Sequence, residues 1–258
     1  MRILIITEEE EFYLPLSIEY LLTNCTEQVL EVVCAKNPLL PSKWKAAGKF
    51  YKAFGAGPIL SQGWRVFKTK FLDTFGWLNF TGRYYSVKGV CRAHNIPYSY
   101  YDDINSLDFI QHCRQLNVEL AASVSPTQIF KEELINLTKF GCINIHTALL
   151  PKYRGLYPTY WAMACGEKTV GITIHYIEKG IDTGRIILQS EVKIPPRTTL
   201  DYMLTLTKLK GAELLVEAIR QISCGTHKTY YPTGKGTYFS FPTSDSYKQF
   251  RRLGYKLW

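Results

Sequence analysis

A doubly wound, mostly parallel α/β sheet is the fold this sequence predicts, on three observations. Short apolar runs recur through the first part of the chain, stretches of helical period lie between them, and 258 residues at 46% hydrophobic and 21% charged content can bury a large core. Ile3-Leu4-Ile5-Ile6 is the first such run, and a helical pattern from about Leu14 to Leu22 follows it, as a buried strand feeding a crossover helix would require. Leu30 to Cys34 is the second strand, Tyr98 to Tyr101 the third, and Leu120 to Ser123 the fourth, reached through a helix over Ser106 to Leu116. Cys142-Ile143-Asn144-Ile145 is the fifth. In sheets of this kind ligands sit beyond the carboxyl ends of the strands, which is where Asn144 and His146 fall.

Beyond that point the texture changes. Gly171 to Tyr176 alternates as an antiparallel or edge strand does, and Ile186 to Val192 offers it a partner across the turn from Gly180 to Gly184. A long helix spans Leu200 to Ser223, with Met203, Leu204, Ala212, Leu215, Ile219 and Ile222 mostly at the spacing that buries one face. The aromatic, basic tail from Tyr230 to Trp258 predicts turns, a hairpin and a closing short helix.

Residues 36 to 85 stand apart, carrying nine Lys or Arg against one acid, Asp73. They predict a helical insertion with helices near Lys43 to Phe54 and Trp64 to Phe75, parted by Gly55-Ala56-Gly57-Pro58. A solvated basic face over an aromatic packing face is one reading; a partner surface or an interfacial membrane helix is the other.

The bulk properties exclude several classes. Seven scattered cysteines form no CxxC pair, and five histidines show no HxxxH or HExxH spacing, so neither a disulfide framework nor a metal is expected. No stretch reaches the roughly 18 to 20 apolar residues of a membrane span, and Met1 to Ile6 runs into Glu8 to Glu11 rather than into a cleavage region, so a cytoplasmic protein is expected. The net charge of +9 selects anionic partners without naming one. Gly55-Ala56-Gly57 does not open a helix after a strand and Gly234-Lys235-Gly236 lacks the earlier glycine of a phosphate loop, so both are read as turns.

The informative stretch is Cys142-Ile143-Asn144-Ile145-His146-Thr147-Ala148-Leu149-Leu150-Pro151-Lys152-Tyr153-Arg154-Gly155, followed by Gly180-Ile181-Asp182-Thr183-Gly184. Alternate residues at a strand end point the same way, so Asn144 and His146 can face one cleft. Asn supplies a neutral donor and His a proton carrier, and an acid delivered by a glycine-flanked turn can orient that His. Such a set suits acyl transfer to an amine, where a developing oxyanion needs donors and a departing proton needs an acceptor. Each residue also has a plainer reading: Asn144 as a strand-end hydrogen-bonder, Asp182 as a turn residue, His175 as a satisfied core histidine.

Asn-x-His, Leu-Leu-Pro with Arg-Gly, and Asp-x-Gly together resemble the folate-dependent formyltransferases, a family that includes glycinamide ribonucleotide, methionyl-tRNA and sugar N-formyltransferases. The resemblance covers roughly residues 86 to 225 and is greatest toward the sugar enzymes. It implies a Rossmann-like core over residues 1–225 with a short extension over 226–258. It also implies 10-formyltetrahydrofolate as formyl donor and catalytic roles for Asn144, His146 and Asp182. By the same resemblance the pterin falls to Thr127, Gln128, Ile129 and Phe130 with the turn of Lys179, Gly180, Ile181 and Asp182, and the substrate to Lys152, Arg154 and Gly155. The family often has Pro-Ser after its His where this chain has Thr147-Ala148, and Glu8 to Glu11 replaces its usual pattern after the first strand. The expected substrate is a small amine on a nucleotide-linked sugar, because no tRNA-sized second domain accompanies the core; nucleic acid is disfavoured as a partner. An aminoacyl-tRNA or purine-pathway substrate, a non-catalytic scaffold, a homodimer and a membrane-surface contact through residues 36–85 stay open.

Overall fold

A computed structural model of the chain describes residues 1–39, 43–74 and 83–258. The elements run β1 (Arg2–Thr7), α1 (Leu14–Asn24), β2 (Gln28–Ala35), α2 (Lys43–Phe54), α3 (Ala56–Thr74), α4 (Val87–Ala93), β3 (Tyr98–Tyr101), α5 (Leu107–Gln115), β4 (Leu120–Val124) and α6 (Glu132–Ile135). They continue with β5 (Cys142–His146), β6 (Arg154–Gly155), α7 (Pro158–Ala164), β7 (Thr169–Tyr176), β8 (Ile186–Lys193), α8 (Leu200–Ser223), β9 (Tyr238–Phe239) and α9 (Ser244–Arg252). One seven-stranded sheet has the order β3-β2-β1-β4-β5-β7-β8. β1 to β5 pair in parallel, and β7 and β8 add antiparallel strands at one side. The chain winds outward from β1 in one direction and from β4 in the other, so a crevice opens where the carboxyl ends of β1 and β4 part.

Strand alternation explains the two faces. Ile3 and Ile5 share a cluster with Ile18 of α1, Val90 of α4 and Leu215 of α8, whereas Leu4 and Ile6 pack with Phe109 of α5 and Leu134 of α6. Two helical layers therefore cover one sheet, as near-continuous apolar strands demand. A third cluster joins Phe54 of α2, Tyr160 of α7, Met203 of α8 and Phe250 of α9. The tail and the basic segment are thus both anchored in the core.

Two local expectations change. The tail forms no hairpin around Tyr238; β9 pairs in parallel with β6, because Leu156 N donates to Phe239 O and Arg154 N donates to Thr237 O, tying the tail to the motif strand instead of to itself. Only Gly55, at φ +84°, separates α2 from α3, since Gly57 and Pro58 lie within the first turn of α3, where a missing proline N–H costs no helical bond. The expected end of that helix at Phe75 lies outside the described residues, as do residues 40–42 and 75–82. Among the described residues no helix is long and apolar enough to cross a membrane.

Candidate functional site

Asn144 and His146 lie on β5, both buried, and the antiparallel pairing sets Asn144 opposite His175 and His146 opposite Thr173 of β7. Register thereby places a second histidine in the site. His175 Nδ1 lies 2.8 Å from the Tyr176 carbonyl, which only a protonated Nδ1 can satisfy, so Nε2 is the acceptor. Asn144 Nδ2 donates to it at 3.2 Å. That bond fixes the amide orientation: one Nδ2–H is spent, the other is left over, and Oδ1 is buried without a partner. Burial pushes the His175 imidazole well below its ordinary value, so it is neutral near pH 7.

Asp182 comes from the turn between β7 and β8. Its Oδ2 stands 3.6 Å from His146 Nδ1 and its Oδ1 stands 3.7 Å from His175 Nε2. The carboxylate sits between two imidazoles, and Gly155 N donates to its Oδ2 at 2.8 Å. The flanking glycines have a steric cause. A Cβ at Gly184 would lie 1.9 Å from the Tyr176 carbonyl oxygen, and one at Gly155 would lie 2.3 Å from the Phe239 oxygen. The glycines of Asp-x-Gly and Arg-Gly thus let turn, motif strand and tail approach closely. His146 Nε2 meanwhile donates to the Tyr153 carbonyl at 2.8 Å, so both ring nitrogens already have protein neighbours.

The turn after β5 is pinned from behind. Thr173 Oγ1 donates to Ala148 O at 2.6 Å, and Gln189 Nε2 donates to Thr173 Oγ1 and Leu150 O at 2.9 and 3.2 Å. Thr147 accepts from Thr159 within the protein, so its hydroxyl serves packing and not the cleft.

Among the residues assigned to substrate, Arg154 lines a cleft of about 250 Å³ with Asp182, Thr183, Tyr231 and Gly236, and its Nε is buried without a partner. Lys152 instead pairs with Glu167 at 3.4 Å. Of the residues assigned to the pterin, Gln128 gives its amide to the carbonyls of Lys36 and Asp102 at 2.8 and 2.9 Å and accepts from Ile104 N at 3.1 Å. Thr127 reaches Lys36 O, Ile129 is exposed, and Phe130 is buried beside Leu134. In the second loop Thr183 Oγ1 donates to Lys179 O at 3.1 Å, Gly180 has φ +107°, and Ile181 is exposed.

The acids after β1 separate by task. Glu10 accepts from the backbone N–H groups of Phe12, Tyr13 and Leu14 and so caps α1, while Glu9 accepts from Val87 N at the start of α4. Glu8 is held by Asn37 Nδ2 at 2.9 Å, and burial pushes its carboxyl up to about 7. Its charged neighbour is Lys208 of α8, whose ammonium reaches Ser125 after β4 and is pushed down by burial. Glu8, Ser125 and Lys208 thus meet at the β1–β4 crevice. Sequence reasoning passed over Lys208, although a lysine four residues after Leu204 and four before Ala212, on the apolar face of a helix, is a readable signal.

Part of the chain is similar to known proteins. Residues 93–219 match the family model described as formyl transferase. A methionyl-tRNA formyltransferase of Thermodesulfovibrio yellowstonii is 36% identical over 152 residues, 59% of this chain and 49% of that protein. One of Pelotomaculum thermopropionicum is 37% identical over 139 residues, 54% of this chain and 44% of that protein. The chain spans about half the length of these relatives. Among solved structures, a sugar 3N-formyl transferase crystallised with dTDP and 5-N-formyl-THF superposes with a TM-score of 0.57 at 24% identity, covering 93% of this chain and 70% of that one. Glycinamide ribonucleotide transformylase 1 of Symbiobacterium toebii gives a TM-score of 0.61 at 17% identity, covering 87% and 88%. At such identities the structural likeness establishes the fold alone.

Proposed function

We propose, from the match of residues 93–219 to the formyl transferase family model, that the protein is a cytoplasmic N-formyltransferase that moves a formyl group from 10-formyltetrahydrofolate to a small amine. The observation that carries this reading is the set Asn144, His175, Asp182 and His146: an amide with one spare N–H and an unpartnered buried oxygen, held by His175, near a carboxylate that lies 3.6 Å from His146 Nδ1.

An orphaned buried Asn144 Oδ1 is out of place in a purely structural cluster, and it fits a donor folate and an amine meeting at this point. The turn of Lys179 to Asp182 and the loop of Thr127 to Phe130 would hold the folate, which when bound supplies the activated formyl carbon. Asn144 then offers its free N–H to the formyl oxygen as charge develops there, and its Oδ1 orients an N–H of the incoming amine. Asp182, 3.6 Å from Nδ1, orients the His146 ring, and His146 takes up the proton that the amine releases during transfer. For His146 Nε2 to reach the reacting oxygen it must leave the Tyr153 carbonyl.

For the amine we favour a nucleotide-linked amino sugar. The support is the cleft beside Asp182, which offers Arg154 to a phosphate and the Tyr231 ring to a base or sugar. Methionyl-tRNA is the second reading, favoured by the sequence relatives. The deciding experiment offers 10-formyltetrahydrofolate with a panel of nucleotide-linked amino sugars, glycinamide ribonucleotide and methionyl-tRNA, and follows release of tetrahydrofolate. Turnover with an amino sugar is expected. Turnover confined to methionyl-tRNA or glycinamide ribonucleotide would sink the sugar assignment and keep formyl transfer, and no turnover with any amine would sink both.

A further inference from the structure

Helix α3 is amphipathic the wrong way round. A helix packed on a globular domain ordinarily turns its apolar stripe to the core. In α3, Leu60, Trp64, Phe67 and Phe71 are 75, 67, 62 and 56% exposed, and they fall within an arc of about 60° at 3.6 residues per turn. Its inward side is polar: Arg65 pairs with Asp201 and lies 4.8 Å over the Phe12 ring and 5.2 Å over the Trp258 ring. Ser61 accepts from Trp258 Nε1 at 2.6 Å, and Thr69 is buried. The helix is therefore fastened to the domain by polar and cation–π contacts, and its apolar face looks outward. Scattered exposed apolar residues need no explanation, but a stripe about 16 Å long with stacked Trp64 and Phe67 rings does.

We propose that this face of α3 docks onto an anionic lipid surface. Charge selects that occupant. Lys68 adjoins the stripe, and the preceding helix α2 carries an 88% exposed Trp44 and an exposed Lys52. The one acid of residues 36–85, Asp73, is turned to Ser86 Oγ at 2.8 Å, away from the stripe. Tryptophan and phenylalanine at headgroup depth with lysines around them match an anionic bilayer interface. A second copy of the chain is a poorer occupant, because a two-fold contact would set these lysines against themselves. Nucleic acid is poorer too, because its phosphates call for donors where the stripe offers rings. Lys70 pairs with Glu11 at 3.3 Å and Arg65 rests on Phe12, so α3 sits just past the carboxyl end of β1. The membrane-facing helix is thus on the same end of the sheet as Asn144 and His146. The inference stands apart from the proposed activity.

The test uses the full chain with vesicles of phosphatidylcholine alone or with about one third phosphatidylserine. Co-sedimentation with the serine-lipid vesicles is expected, weakened by salt and at least tenfold weaker on phosphatidylcholine. Leu60→Ser/Trp64→Ser/Phe67→Ser should lower binding at least tenfold while leaving circular dichroism and the unfolding midpoint unchanged, since all three side chains are exposed. Lys52→Glu/Lys68→Glu should remove the preference for anionic lipid. Should the triple variant misfold, quenching of wild-type tryptophan emission by brominated lipids decides instead: quenching supports docking, and its absence overturns it. No binding to anionic vesicles, equal binding by a folded triple variant, or a concentration-dependent dimer that the triple variant abolishes would each overturn the proposal.

Discussion

Asn144 and His175 face each other across β5 and β7, and the 3.2 Å contact from Asn144 Nδ2 to His175 Nε2 decides which way the asparagine amide points. Without it the amide could turn and present its oxygen where a donor is needed. His175 thus works through Asn144, held neutral by burial and tautomer-fixed by the Tyr176 carbonyl. His175→Phe is expected to lower kcat by about 10²-fold through misplacement of the amide, with little change in affinity for a folate analogue. His175→Gln, whose side-chain oxygen can still accept from Asn144, should recover part of the loss. If the Phe and Gln variants are equally impaired, the positioning role is wrong.

Asn144→Ala removes the spare donor outright and should cost about 10²- to 10³-fold in turnover. His146→Ala and Asp182→Ala should cost at least as much, and the double variant far less than the product of the two, because the carboxylate acts through the ring it sits beside at 3.6 Å. Steady-state turnover and folate affinity measured separately for all four variants check this; multiplicative losses would mean that His146 and Asp182 act independently.

Gln128 ties three backbone groups across the ends of β2, β3 and β4. Gln128→Ala is therefore expected to cost about 1 to 3 kcal/mol of stability and to weaken binding of 5-formyltetrahydrofolate only modestly, through a looser loop. Calorimetry with a denaturant titration separates the outcomes. Binding abolished at unchanged stability would show that the side chain itself holds the pterin.

The parallel core was legible because short continuous apolar runs alternate with helical stretches from Ile3 to Ile145, residues 36–85 aside, and Leu200–Ser223 was legible to the residue. What stayed hidden depends on register and on contacts distant in sequence. No pattern around His175 reveals that it lies opposite Asn144 across 31 positions of chain. The pairing of Arg154–Gly155 with Tyr238–Phe239 is likewise invisible locally, as two-residue strands carry no period. Residues 36–85 read as an insertion, yet Phe54 fills the third core cluster and the Lys36 carbonyl anchors Gln128, so deleting the segment would damage both.

Glu8 gives the molecule a pH signature of its own. Its carboxyl is pushed up to about 7 from 4.5, chiefly by burial, against the opposing pull of Asn37 and Lys208. Between those values the folded chain binds this proton and the unfolded chain does not, so stability falls as pH rises through the window and the penalty is complete above it. His175 acts in the opposite sense: burial lowers its value, and stability is lost as pH falls below the ordinary histidine range. Glu8→Gln leaves His175 in place, so the difference between variant and parent isolates Glu8. That difference should move in favour of the variant by on the order of 1 to 3 kcal/mol between about pH 5 and about pH 8, less where solvent reaches the carboxylate. Denaturant unfolding of both proteins across this range measures it. A difference that does not change with pH would show that Glu8 ionises in the folded protein as freely as in the unfolded one, and the Glu8–Lys208 pair would then lose its standing as a strained buried charge at the β1–β4 crevice.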